Sequence, residues 1–322
     1  MKDKVENEIR IFEQTPHILS KYKVEKLTKQ AFRIHFGDID LPSDKKAALT
    51  LMAVTHGNEV GGITTLNRLV RYWAESTPLP LVIDLILGNT EASIADKRYL
   101  DRDLNRSFGR QGDQSREDIR ARELEPFLSE TCFLLDIHQT IEACDRPFFI
   151  FGYNKKSFEF ACSLDDQIPI VTHWGKGFSN DGLCTDEFTN TKGGIGITIE
   201  LGKKGFGTYM EAVGMSVSLT AMNVVHRVLL GEDLSSLAHP PKQLFTWGEV
   251  IPWPSSKASL DKGWYNFREV EKDQILGKDG NNNILAGVSG PLLFPKYPGA
   301  GEKTPAEICR ILKPIKVGDL GK

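Results

Sequence analysis

The order of apolar runs along this chain predicts an α/β fold, with a mixed, mostly parallel sheet, helices on both of its faces and a small β-rich domain at the C-terminal end. Three observations carry that expectation. Uncharged runs of strand length alternate with longer stretches whose apolar residues recur at helical spacing. Two of the runs, residues 48–55 and 133–138, are apolar almost throughout, as strands buried on both faces are. Composition then changes over residues 231–256, where Pro240, Pro241, Pro252 and Pro254 interrupt the pattern and read as a linker. The expected division is one domain over residues 1–235 and a second over 240–322.

Taken in order, residues 1–30 are charged and helical in tone, and are expected to form a surface arm. Residues 32–36 alternate like a strand with one wet face. Residues 48–55 form the central strand, Gly57 permits a turn, and residues 60–70 recur at helical spacing until Pro78 and Pro80 break the helix. Residues 81–87 form the next strand. The polar connection over 88–109 is long for a plain loop, and its aromatic and aliphatic anchors mark it as functional rather than disordered. An amphipathic helix follows over 115–129. Residues 133–138 are a strand ending in His138, and 147–151 and 168–172 are short strands. Residues 194–200 alternate cleanly, with Gly196, Thr198 and Glu200 on one face and three isoleucines on the other. Residues 208–230 form a long helix. Beyond the proline cluster, residues 292–294 and a turn at 278–281 suggest short strands.

Composition narrows the function. The 322 residues carry 40 Lys and Arg against 43 Asp and Glu, a net charge of −3 that gives no general pull toward nucleic acid or anionic membrane. Five cysteines without a Cys-x-x-Cys indicate neither a disulfide framework nor a cysteine zinc site. No signal-peptide core opens the sequence, and no apolar run reaches the length of a membrane span. A cytoplasmic protein is expected, with assembly into a homo-oligomer left open.

The chemistry-bearing residues gather at strand ends. His56 closes the central strand and Glu59 opens the following helix, where ligands collect in open α/β sheets. An imidazole and a carboxylate three residues apart across that turn can converge on one metal ion. His138, closing a second buried strand, completes a three-ligand set that leaves one position for water, and two imidazoles favour zinc over magnesium. Asp136, two residues before His138, could hold that imidazole in one tautomer. Glu200 could take a proton from water and pass it to a leaving amine. Arg98 suits a developing oxyanion, and Asn105 with Arg106 suits a carboxylate clamp. The residues alone leave other readings open: strand-end histidines satisfied by hydrogen bonds, Glu200 paired with Lys203 or Lys204, and solvated arginines. His35 and Asp38 repeat the spacing as a decoy.

Together these pieces resemble the succinylglutamate desuccinylase/aspartoacylase family. The matching residues are His56-Gly57-Asn58-Glu59-Val60-Gly61-Gly62, Gly88-Asn89, Arg98-Tyr99-Leu100-Asp101-Arg102-Asp103-Leu104-Asn105-Arg106, Asp136-Ile137-His138 and Ile199-Glu200-Leu201-Gly202. They stand in the family's order across roughly residues 48–207. The resemblance implies a zinc carboxypeptidase-like fold, one Zn2+ per chain on His56, Glu59 and His138, and Glu200 as general base. It implies Arg98 on the scissile carbonyl, Asn105 and Arg106 on a substrate carboxylate, and a C-terminal β domain shaping the pocket mouth, where Tyr297 is a further substrate contact. The implied reaction is hydrolysis of the amide bond of an N-acyl amino acid, a small-molecule substrate.

The sequence departs from that pattern in two places. The aspartoacylase branch has an extra arginine about ten residues before its catalytic Glu; here Asn190 stands there, with Lys192 as the nearest positive charge. Glu142 and Asp145 make the loop after His138 acidic where desuccinylases are more basic, and are read as loop-surface charges. Two other readings stay beside the deacylase: a metallocarboxypeptidase acting on peptide C-termini, and a non-catalytic binding protein on the same zinc fold.

Overall fold

The apolar runs become the middle of one large sheet in the computed structural model, which describes residues 2–112, 114–175, 182–299 and 304–322. Among the described residues the strands are β1 (Lys23–Thr28), β2 (Ala31–His35), β3 (Ala47–Ala53), β4 (Val82–Leu87), β5 (Thr131–Thr140), β6 (Phe148–Gly152), β7 (Ile170–His173) and β8 (Ile195–Lys203). The later ones are β9 (Leu244–Pro252), β10 (Ala258–Leu260), β11 (Glu269–Val270), β12 (Ile275–Asp279), β13 (Asn282–Leu285), β14 (Gly290–Leu293) and β15 (Glu307–Pro314). Twelve of them pair in the order β1-β2-β4-β3-β5-β8-β6-β7-β9-β15-β14-β11, and β10-β12-β13 form a separate small sheet.

The centre is parallel. β3 runs parallel to β4 and β5, and β5 parallel to β8. β6 turns against β8 and runs with β7, which runs with β9. Every residue of β3, β4 and β5 is buried, because helices cover both faces and alternate side chains enter different cores. On one face Leu49, Leu51, Ile83, Leu85 and Leu135 pack under the helices Gly61–Glu75 and Thr208–Leu229. On the other, Met52, Ile86 and Leu134 pack with Leu124 and Leu128 of helix Arg116–Ser129 and Phe188 of helix Thr185–Thr191.

Two expectations needed correction. The N-terminal segment is not a loose arm: helix Lys2–Glu13 buries Val5, Ile9 and Phe12, a helical stripe that packs against helix Gly61–Glu75. The proline-rich stretch is not simply a linker, because β9 starts within it and joins β7 on one side and β15 on the other. Pro240 and Pro241 thus precede a strand through which the sheet continues. The helices Lys155–Leu164 and Thr185–Thr191 were unforeseen.

The C-terminal β-rich region is present and has a core of its own, built around Trp264, Leu276, Leu292, Ile308 and Ile311. Its hairpin turns at Gly280 and Asn281 between β12 and β13, where the sequence suggested a turn. Helix Thr208–Leu229 is long and apolar enough to cross a membrane by length and composition. Here it buries Val217, Ala221, Val224 and Val225 against β3, β5 and β8, as a core helix does.

Candidate metal and active site

Three strand ends and one helix start bring the candidate residues together. β5 and β8 are in register with His138 opposite Glu200. β3 lies on the other side of β5 and ends at Ala53. Val54 then takes a positive φ of 58°, a conformation that β-branched residues rarely adopt. That bend, rather than Gly57, redirects the chain toward His56. Gly57 is needed for a different reason: a Cβ there would meet Ala92 C at 2.5 Å and Lys97 O at 2.6 Å. The strain at Val54 is held by its surroundings, since its carbonyl accepts from Asn89 N at 2.8 Å.

The resulting cluster is tight and buried. His56, Glu59 and His138 are all buried, and a donor atom from each lies within 4.8 Å of the others. His56 Nδ1 is 2.8 Å from Glu59 Oε1, and His138 Nδ1 is 3.0 Å from Glu59 Oε2. The two Nδ1 atoms face each other at 3.1 Å. Behind each ring stands a carboxylate: Asp103 Oδ1 is 3.2 Å from His56 Nε2, and Asp136 Oδ2 is 2.9 Å from His138 Nε2. With Nε2–H donating to Asp136, the His138 ring turns Nδ1 toward the centre, while His56 Nε2 faces both Asp103 and Arg98. Two imidazole nitrogens and one carboxylate converging in a buried spot are a donor set that fits zinc.

Electrostatics point the same way. Burial works against the charge on Glu59, but His56 and His138 outweigh it and hold the carboxyl well below its usual range. Burial likewise opposes charge on Asp103, yet His56 and Arg98 keep it low, and His138 with two threonine hydroxyls does the same for Asp136. Burial disfavours a charged His138, but Asp136 and Glu59 raise it well above an ordinary histidine. The surroundings thus favour positive charge between the two rings.

Glu200 behaves differently. Burial first, then the like charge of Glu59, push it up to about 8, against the pull of His138 and Arg98. Its Oε2 is buried and accepts no hydrogen bond among the described residues. Neither Lys203 nor Lys204 is in an ion pair with it among those described. A carboxyl that changes protonation near neutral pH, with one oxygen free, can both accept and return a proton.

Arg98 bridges the two sides. Its Nη2 lies 2.5 Å from His56 Nε2 and 3.2 Å from Asp103 Oδ2, and its Nη1 donates to Glu59 Oε1 at 3.3 Å. Asn105 is buried, and its Oδ1 accepts from Thr185 N at 3.0 Å. Arg106 Nη1 donates to Asn105 O at 2.5 Å and to Cys184 Sγ at 3.0 Å. Thr185 is a junction, since its hydroxyl also donates to Asp136 Oδ2 at 2.6 Å.

One expected substrate contact stands elsewhere, and a second is engaged within the β-rich region. Lys192 ends helix Thr185–Thr191, where its carbonyl accepts from Lys45 together with that of Ser129, and its ammonium lies over the Phe188 ring. That is the entry end of β5 and β8, roughly 20 Å of strand from His138. Lys192 is therefore no substrate contact, and Asn190 shares that end, its Oδ1 accepting from Gly196 N. Tyr297 belongs to the β-rich region; its hydroxyl accepts from Trp264 N and donates to Asp261 O, both at 2.9 Å. Asp145 is exposed and Glu142 half-buried.

Sequence reasoning missed Asp103 and Thr185. Asp103 lay inside the Arg98–Arg106 run, and its acidic character beside two arginines was the available signal. Nothing in the sequence marked Thr185, whose role depends on a backbone N–H and on packing between distant segments.

The arrangement is a buried donor triad that could hold a metal ion at the carboxyl ends of an α/β sheet, with the Glu200 carboxyl on the neighbouring strand. The succinylglutamate desuccinylase/aspartoacylase catalytic domain matches residues 45–225. A succinylglutamate desuccinylase from Serratia proteamaculans (strain 568) is 34% identical over 271 residues, covering 78% of this chain and 80% of that protein. Among solved structures, succinylglutamate desuccinylase from Vibrio parahaemolyticus superimposes with a TM-score of 0.67 at 14% identity, covering 92% and 89% of the two chains. Murine aminoacylase 3 gives 0.63 at 18% identity, covering 86% of this chain and 98% of its own. The chain belongs to the succinylglutamate desuccinylase/aspartoacylase family.

Proposed function

We propose that this protein is a zinc-dependent amidohydrolase that cleaves the amide bond of an N-acyl amino acid. The observation that carries the reading is Glu200: a buried carboxyl with an unengaged oxygen, set by register opposite His138 of the donor triad. Relatives in the family are named for removing acyl groups from amino acids.

On this reading His56, Glu59 and His138 hold one zinc ion, which when bound supplies Lewis acidity for a carbonyl oxygen and for water. Asp103 and Asp136 keep both imidazoles in the ligating tautomer. Glu200 takes a proton from the attacking water at Oε2 and returns it to the departing amine nitrogen. Arg98 directs N–H donors at the oxygen that gains charge as the carbonyl becomes tetrahedral. Asn105 and Arg106 orient the substrate through a carboxylate. Residues 240–322, which meet the loop after His138 where Asn266 donates to the carbonyls of Glu142 and Ala143, form the mouth of the pocket.

The test is zinc content together with turnover of a panel of N-acyl amino acids, comparing wild type with Glu200→Ala. About one zinc per chain in both proteins, with turnover of one acyl class lost only in the variant, is the expected result. Turnover only of peptides with free C-termini would instead make it a carboxypeptidase. No metal after reconstitution would end the triad assignment.

A further inference from the structure

Glu117 takes no part in the chemistry above, yet it is 1% exposed and both its oxygens are occupied. Oε1 accepts from Leu100 N at 2.6 Å and from Asn89 Nδ2 at 3.1 Å. Oε2 accepts from Asp101 N at 3.1 Å and Arg102 N at 3.2 Å. Three consecutive backbone N–H groups therefore close on one carboxylate. A buried carboxylate is costly without such donors, and a loop rarely aims three amides at one point without an acceptor there.

Those amides lie between Arg98 and the Asn105–Arg106 pair. The Arg98 carbonyl accepts from Gly57 N at 2.9 Å, so the loop begins on the turn that carries His56. Leu104 packs with Ala121, Leu124 and Leu128, which belong to the same helix as Glu117. That helix grips the loop twice, by a carboxylate in its first turn and by an apolar stripe further along. Asp101 answers in the other direction, its Oδ2 accepting from Arg116 N at 3.0 Å.

We propose that Glu117 is a positioning residue that fixes the loop over residues 98–106, so that Arg98 and the Asn105–Arg106 pair address one substrate together. The proposal rests on reading those three as substrate contacts. Its signature is selectivity: loosening the anchor disturbs the substrate side more than the metal side, whose three ligands stand on other elements and meet the loop through Asp103 and Arg98.

The experiment is Glu117→Gln, which keeps the shape but puts an NH2 where one oxygen accepted. Zinc content should match wild type, and resistance to a chelator should fall by less than kcat/KM, through Asp103 alone. kcat/KM for the N-acyl amino acid turned over best should fall by about tenfold to a hundredfold, since small misplacement of orienting groups is costly. Backbone hydrogen exchange at residues 100–102 should speed up in the variant. Loss of zinc in parallel with activity, or kcat/KM within about twofold of wild type, would overturn the proposal. Should the variant not fold, wild-type exchange decides: amides 100–102 must be protected relative to exposed Gln111 and Gly112, and equal rates refute the anchor. Exchange does not depend on the reaction assigned, so a failed deacylase reading and a failed anchor give different results.

Discussion

His138 and Glu200 face each other because β5 and β8 are in register at that point, whereas Arg98, Asn105 and Arg106, proposed above as substrate contacts, stand on a segment with a single 3-10 turn, Leu104–Arg106. The first pair is placed by two strands, β5 buried at every residue and β8 at all but its first and last. The second group is placed by a few contacts: Glu117 beneath the loop, Leu104 in an apolar cluster, and Thr185 against Asn105. A group on a sheet moves only if the sheet moves, so substitutions there act through lost chemistry. A group on the loop can be misplaced by changing a residue that touches neither metal nor substrate.

The largest effect that would test this contrast is His138→Ala. Loss of one of three ligands should abolish stoichiometric zinc and lower kcat/KM by at least ~10⁴, read by metal analysis and turnover. Glu200→Gln should cost on the order of 10²–10⁴ in kcat while zinc stays bound; zinc loss in that variant would contradict the separate placement of base and ligands. Arg98→Lys comes next, with about 10²-fold lower kcat/KM, because an ammonium cannot span Glu59 and Asp103 as the guanidinium fork does. Asp136→Asn should weaken zinc binding by about 10–100-fold in chelator competition, through the His138 ring it orients.

The smallest effect concerns stability alone. Asp186 is pushed up to about 7 by burial and by the nearby charges of Glu187 and Asp136. Its folded-state value lies above that of the unfolded chain, roughly 4, so the fold loses stability as pH rises from there through about 7. Asp186→Asn should therefore raise Tm by a few degrees at pH 8 and leave it unchanged at pH 4. A gain at pH 4 as large as at pH 8 would rule out ionisation as its source.

The same contrast separates what the sequence made legible from what it did not. β3, β5 and β8 were readable because each is a short apolar run buried on both faces, and their ends carry His56, His138 and Glu200. The loop's chemistry was readable only as a motif. That Asp103 backs the His56 ring, or that Glu117 holds residues 100–102 from fifteen or more positions away, follows from tertiary contacts that no periodicity records. Lys192 misled for a related reason. Counting back from Glu200 runs down β8 to its start, which carries Lys192 to the far end of the sheet. β9 was obscured by prolines that flank it, since Pro240 and Pro241 stand before the strand and Pro252 ends it.

The pairing of β9 with β7 has a consequence for how the protein is made. The strands that carry the site are all synthesised before Leu244, so a nascent chain could assemble them from β1 through β8 while the outer edge of β7 stands open. Open edges are templates for pairing with other chains. Until β9 emerges and β15 follows it, the growing chain offers its neighbours on the ribosome a strand already set in a sheet. The C-terminal region is therefore also the chain's last safeguard against sticking to its own copies.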